Sequence, residues 1–359
     1  MSKATDQTLP TSATPAIITP WVDALCIGGG SILLFLPLLL TGDRTILLPA
    51  ASMAWITMLV NTPHFMASYR LLYCHREMVL RYKWASIYVP AGLIAYAVIA
   101  VAKSPETMSY VALMLVVSST YLAWHYTGQA WGMMASYTWL AGAAFSALER
   151  ALVRTGIRLL LIWHVTWFLY WGNNLRWLQE VMEPAYVFMS WATVLSFALG
   201  TAGLALFTRR VGRLPPMNAL VAWVAIYFWY AGMACDQRAI YWVQVFHAVQ
   251  YLIFPARVEM NRFTMSAPTK QPRVRQHMLL YAAGLLLASV VVDKILPTAG
   301  QRITSYFFGT TQGQAVPMVM LAFLNIHHYF TDGCVWKISN PTVRQELFAH
   351  VPKAVSAAG

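Results

Sequence analysis

The chain has 359 residues, of which 58% are hydrophobic and only 11% charged. Soluble globular domains carry about 25% charged residues, so this balance excludes a soluble fold. The net charge of +12 fits orientation in a membrane and contact with anionic headgroups of membrane lipids, and calls for no nucleic acid.

In chain order, residues 1–23 read as a polar N-terminal tail rich in Thr and Pro, with no cleavable leader expected before the first apolar block. Apolar segments then follow at 24–41, 46–70, 84–103, 107–128, 159–175, 184–208, 217–234, 239–257, 277–296 and 315–337. Segments near 20 residues cross a hydrocarbon core of about 30 Å. The expected fold is therefore an all-α polytopic membrane protein with about ten transmembrane helices over residues 24–337. Residues 140–155 (LAGAAFSALERALVRT) read as an amphipathic helix lying in the interface. The longest polar connections are at 257–276 and near 297–314, and residues 338–359 read as a cytoplasmic C-terminal tail.

Lys and Arg concentrate in cytoplasmic loops. With the N-terminus inside, 19 of the 25 basic residues share one side, including Arg70, Arg76, Arg81 and Lys83 after the second span. The opposite side holds Arg44, Lys103, Arg176, Arg238, Lys294 and Arg302. Both termini are thus expected in the cytoplasm of a multi-pass protein of the cytoplasmic (inner) membrane. Cys26, Cys74, Cys235 and Cys334 form no C-x-x-C pair and read as small buried hydrophobes rather than disulfides or a thiolate cluster.

Histidine carries the functional signal. His64, His125, His164, His247, His327 and His328 all fall inside apolar segments, where an ionisable or metal-binding group marks a functional site. Counted from the cytoplasmic arginines at about 1.5 Å per residue, all six lie in the middle and inner half of the bilayer, as one shared site requires. His75, His277 and His350 lie in loops or at span ends and read as solvated or interfacial.

Helical spacing supplies partners. In NIHHYFTDG, Asn325, His328 and Asp332 stand at i, i+3 and i+7 on one face. Asp332 is placed either to bind metal with His328 or to accept the second ring N–H of a ligand. His327 points about 100° away, toward a second metal. Gln129 follows His125, Gln250 and Tyr251 follow His247, and Asn61 precedes His64. Asn61, Gln129, Gln250 and Asn325 are expected to support the ligands from behind, with Tyr251 or Tyr329 supplying a proton or shaping a pocket. Trp124, Tyr126, Trp163, Tyr251, Tyr329 and Phe330 beside the histidines are candidates for aromatic pocket walls. Trp84, Trp223, Trp242 and Trp336 are assigned to the interfacial belt.

The His327–His328 pair, histidines on several spans and the cytoplasmic-half depth resemble the membrane-embedded histidine-motif non-haem iron oxygenases: desaturases, alkane hydroxylases and sterol hydroxylases. Those families carry three histidine boxes, whereas this chain has one adjacent pair. Dispersed single histidines are more similar to the bacterial membrane enzymes that cleave β-carotene. That resemblance implies iron ligands at His64, His125, His247, His327 and His328. His247 with Tyr251, then His327–His328, is also similar to the copper site of haem–copper oxidases, whose H-x-H pair has no counterpart here.

The expectation is an iron enzyme, with two iron ions and dioxygen as co-substrate, that hydroxylates, desaturates or cleaves a lipid-soluble substrate such as an acyl chain, carotenoid or other isoprenoid. His64, His125, His164, His247, His327, His328 and Asp332 are its candidate ligands, and a soluble electron donor would meet the basic cytoplasmic face. The competing readings are a transporter or channel with a histidine proton relay or metal path, and a haem- or copper-binding membrane oxidase.

Overall fold

The computed structural model describes residues 16–172, 176–266, 273–336 and 341–351. Among these residues there is no strand. The helices are α1 (Pro20–Thr41), α2 (Ala50–Tyr73), α3 (Arg76–Arg81), α4 (Trp84–Lys103), α5 (Ser109–Leu140) and α6 (Ala147–Trp171). They continue as α7 (Arg176–Val211), α8 (Met217–Cys235), α9 (Ala239–Ser266), α10 (Val274–Phe308), α11 (Thr310–Val335) and α12 (Pro341–Leu347). Single π-turns at Leu25–Gly29, Trp84–Tyr88 and Val291–Ile295 lie within α1, α4 and α10.

Local chemistry sets the ends. Thr19 accepts from the Val22 N–H at 3.3 Å with Pro20 just inside the helix, a strong start signal. Gly42 ends α1 in the left-handed region at φ 70°, which glycine adopts without a Cβ penalty. A capping box between Ser146 and Glu149 starts α6, satisfying two orphan N–H groups at once. That box also corrects the reading of residues 140–155. They form no separate interfacial helix: α5 runs to Leu140, and 147–155 are the first turns of a continuous α6.

Six helices, α1, α4, α6, α7, α8 and α10, are long and apolar enough to cross a membrane. Each of the ten segments expected from the sequence falls largely within a long helix, but α2, α5, α9 and α11 are less apolar. The physical reason is burial of polar groups inside the bundle. On α2, every residue from Thr62 to Ser68 is buried, so side chains on all sides of the helix meet protein. The expected connection near 297–314 is also helical: α10 runs to Phe308 and packs back on α11, with Gly313 against Ser305. Of the 19 basic residues expected on the cytoplasmic side, Lys3, Lys270, Lys337 and Lys353 lie outside the described residues.

The expected tails are partly folded onto the bundle. Buried Asp23 accepts from the backbone N–H groups of Ile17 at 2.6 Å and Ile18 at 2.9 Å, and from the Tyr137 hydroxyl at 2.8 Å. The Asn261 amide donates to the carbonyls of Glu346 at 2.8 Å and Leu347 at 3.2 Å, fastening α12 to α9. Between α8 and α9, Asp236 bridges Arg238 at 2.8 Å and Arg44 at 3.8 Å. The Arg238 guanidinium holds its carboxyl below the usual carboxylate range.

The most extensive helix pair is α6 with α7. A Cβ on Gly156 would lie 2.5 Å from the Ser196 carbonyl oxygen, and one on Gly203 would lie 2.7 Å from the Val153 side chain. Ser196 donates to the Gly156 carbonyl at 2.7 Å. Small residues that let backbones approach are the usual basis of helix association in lipid. Gly156→Val is therefore expected to destabilise the detergent-purified protein by about 1–3 kcal/mol, the cost of overpacking. Gly284→Ala, where a Cβ meets nothing within 4 Å, is expected to leave stability equal or raised by up to ~1 kcal/mol. Thermal unfolding followed by circular dichroism measures both, and equal midpoints for the two variants would refute the close-contact account.

Candidate metal centre

The four less apolar long helices each bring one imidazole to the same place. His64 on α2, His125 on α5, His247 on α9 and His328 on α11 offer ring nitrogens that all lie within 4.8 Å of one another. His64 and His328 are 0% exposed, His247 2% and His125 8%. The His328 Nε2 atom is 2.9 Å from His64 Nε2 and 3.2 Å from His125 Nε2. Asp332, one turn after His328, puts Oδ2 at 3.3 Å from His328 Nε2 and 3.6 Å from His125 Nε2.

Hydrogen bonding among neutral rings does not satisfy this arrangement. Each ring nitrogen offers one N–H or one lone pair, so His328 Nε2 serves only one of its three close partners at a time. Both ring nitrogens of His247 are buried without a hydrogen-bond partner, and leaving such groups unpaired is costly. A cation accepts the converging lone pairs together, and imidazole suits iron, zinc and copper. The donor set therefore fits a metal ion.

A hydrogen-bonded frame holds Asp332. Its Oδ1 accepts from the hydroxyls of Ser68 and Tyr251, each at 2.8 Å, and the Trp336 indole N–H donates to the Tyr251 oxygen at 2.6 Å. Ser68 stands four residues after His64, and Trp336 four after Asp332. Both were legible at the i, i+4 spacing that links Asp332 to His328. Trp336, assigned from sequence to the interfacial belt, belongs to this frame, and Trp223 is buried against Phe197.

Two expected ligands lie outside the cluster. His327 faces away around α11: its Nε2 lies 3.0 Å from the Ala85 carbonyl and 3.1 Å from the Tyr73 hydroxyl, and its ring stacks on Tyr69. His164 is buried on α6 with Nδ1 at 3.2 Å from the Tyr230 hydroxyl. Tyr126 stands between it and the cluster, 5.9 Å from the His164 ring and 4.5 Å from the His247 ring, centroid to centroid. Neither residue supplies a second metal position. Outside the cluster, His277 pairs with Glu259 at 2.8 Å and His350 meets the Ala16 carbonyl at 2.9 Å.

The expected supporting amides act on the backbone rather than on the rings. The Gln129 amide donates to the His247 carbonyl and to the Gln250 side-chain oxygen, both at 3.0 Å, and Gln250 donates to the Ile27 carbonyl. This chain ties α5, α9 and α1 together beside the cluster. Asn61 stands three residues before His64, whose Nδ1 atom is buried without a hydrogen-bond partner. Asn325 is half-buried one turn before His328.

A cavity of about 740 Å³ borders the centre, with His125 and Asp332 in its wall. Of the expected wall aromatics, Trp124, Tyr251, Tyr329 and Phe330 line it, whereas Tyr126 and Trp163 pack into the neighbouring core. The Tyr329 ring lies 4.7 Å from the His125 ring, and its hydroxyl is buried without a partner. Comparison of the chain with protein-family models, curated proteins and solved structures found no match.

Alanine substitution at His64, His125, His247 or His328 is expected to lower metal retention at least about tenfold, since even support of a ligand is worth that much. His164→Ala and His327→Ala are expected to keep metal. Elemental analysis of the six purified variants tests this, and metal loss in the second pair equal to that in the first would overturn the four-histidine centre.

Proposed function

We propose that the protein is an integral-membrane iron enzyme that uses dioxygen to oxidise a lipid-soluble substrate. The carrying observation is the convergence of four buried imidazoles, one of which, His125, stands with Asp332 in the wall of a cavity lined mainly by aromatic and other apolar side chains. His64, His125, His247 and His328 hold one ion, and Asp332 offers an oxygen beside it. Bound iron supplies activation of dioxygen for C–H or C=C bonds that acid–base side chains do not reach. A zinc hydrolase also needs only imidazoles and water, but its substrates carry polarised bonds, for which this cavity offers few partners.

The chain's own groups do the rest. Four ligands from four helices fix the ion against the cavity wall. Ser68 and Tyr251 hold one Asp332 oxygen and leave the other turned toward His125 and His328. The Tyr329 hydroxyl, free of protein partners, is available to an oxygen atom at the reacting position. Electrons enter from a soluble donor at the basic inner face, where Arg76, Arg81 and Arg262 border a second cavity of about 530 Å³ that shares Trp336 with the first. A histidine proton relay is less well supported, because the histidines gather at one depth instead of forming a file across the bundle.

In the proposed topology the six apolar helices shield α2, α5, α9 and α11, all ten cross the cytoplasmic membrane, and both termini are cytoplasmic. In a variant lacking the native cysteines, a cysteine at Arg273 is expected to be protected from impermeant thiol reagents added outside, and one at Arg302 to react. The reverse labelling would sink this topology.

The functional test is metal and gas. Protein purified without metal supplementation is expected to contain about one iron per chain, in excess of zinc and copper, given this donor set. With a reductant and a membrane lipid extract it is expected to consume dioxygen, and His328→Ala to do neither. Stoichiometric zinc or copper, or iron without dioxygen uptake, would replace this reading.

A further inference from the structure

The cavity's shape and lining carry information about its occupant. Its wall holds a single charged side chain, Asp332, already engaged by Ser68 and Tyr251. Lining residues toward the outer end of α5 are open, with Trp124 60% and Tyr121 40% exposed. At the inner end they are closed, with Ser136 2% and Leu347 1% exposed. The mouth thus opens sideways at the lipid-facing flank of α5, and the far end is blind.

Between mouth and end, α5 presents Gly128 and Gly132, one turn apart. A Cβ on either would meet nothing within 4 Å, so both backbones face open space on the cavity side. The blind end is fixed by α12, which Asn261 holds through the Glu346 and Leu347 carbonyls and which Arg262 holds through Glu346 at 2.8 Å. His125 lies next to the mouth residue Trp124. Ser136 lies eleven residues further along α5, roughly 16 Å at the helical rise of about 1.5 Å per residue.

We propose that this cavity binds an elongated, uncharged apolar molecule that enters from the bilayer past Trp124 and lies along α5. Its leading end reaches Leu347, and an internal carbon rests beside His125 and Asp332. A membrane-dissolved chain matches the lateral mouth, the near absence of charge and the length beyond the metal ligands. A water-soluble or anionic substrate matches none of them. Oxidation then falls at an internal position of the chain and not at its leading end; this consequence rests on the proposed iron chemistry, whereas the binding mode does not.

Photo-crosslinking of the protein as purified tests the binding mode directly. The probe is hexadecane carrying a diazirine at one end, with excess unlabelled hexadecane as competitor and peptide mass spectrometry as the readout. Competed labelling is expected at Met133, Ser136 or Leu347. Gly132→Phe, which sets a ring across the channel, is expected to reduce that labelling about tenfold or more, equivalent to about 1.4 kcal/mol, and Gly92→Phe on the exposed face of α4 to leave it unchanged. Ser136→Phe serves as a second block should Gly132→Phe fail to fold. Labels confined to lipid-facing residues such as Leu113 and Leu279, or labelling at the inner end that ignores both blocks, would overturn the proposal. Iron content measured on separate as-purified samples keeps the two readings apart. Failed labelling with normal iron refutes this binding mode alone, and inner labelling with no iron supports it while removing the oxidative chemistry.

Discussion

Four buried imidazoles whose ring nitrogens turn toward one another are the constraint on which this structure depends. Neutral rings in that arrangement compete for too few protons, and protonating one in an apolar interior is expensive. An ion that accepts several lone pairs removes the conflict and converts it into adhesion between α2, α5, α9 and α11. The neighbouring features follow from keeping those rings aimed inward: Asp332 clasped by Ser68 and Tyr251, Trp336 behind Tyr251, and the Gln129–Gln250 pair gripping the backbone at His247.

That requirement divides the helices by task. Six are apolar enough to face lipid, and two of them, α6 and α7, pack through the close backbone approach at Gly156, Ser196 and Gly203. The other four long helices carry the serines, glutamines, histidines and carboxylate that a site needs, and so score lower in mean hydropathy. A low score here reflects polar groups spent inside the bundle, which is where intramembrane polar residues are affordable.

Much of this was legible from residues alone. Apolar block length placed a segment within each long helix but missed some ends by up to twelve residues, as at Leu140, Ala147 and Phe308, and the i, i+4 relation of His328 and Asp332 predicted their shared face. Depth singled out six histidines but carried no azimuth. His327 is one residue from a ligand, yet the helical repeat turns it to Tyr73 and Ala85. His164 has the right depth on a helix that meets the cluster only through Tyr126. The break before Ala147 was hidden because the amphipathic pattern of 140–155 runs across a turn marked by Gly142 at φ 72° and by the Ser146–Glu149 capping box. Trp336 looked interfacial because composition cannot tell a belt tryptophan from one whose N–H is engaged inside.

The ligands' spread along the chain has a consequence for biogenesis. His64 and His328 are 264 positions apart, and the imidazoles arrive one helix at a time as the polypeptide is threaded into the bilayer. A nascent chain that has inserted α2 and α5 holds half a centre, and Asp332 arrives only with α11. An ion held by these four imidazoles would therefore be captured only after the last of the four helices has inserted, as the step that closes assembly.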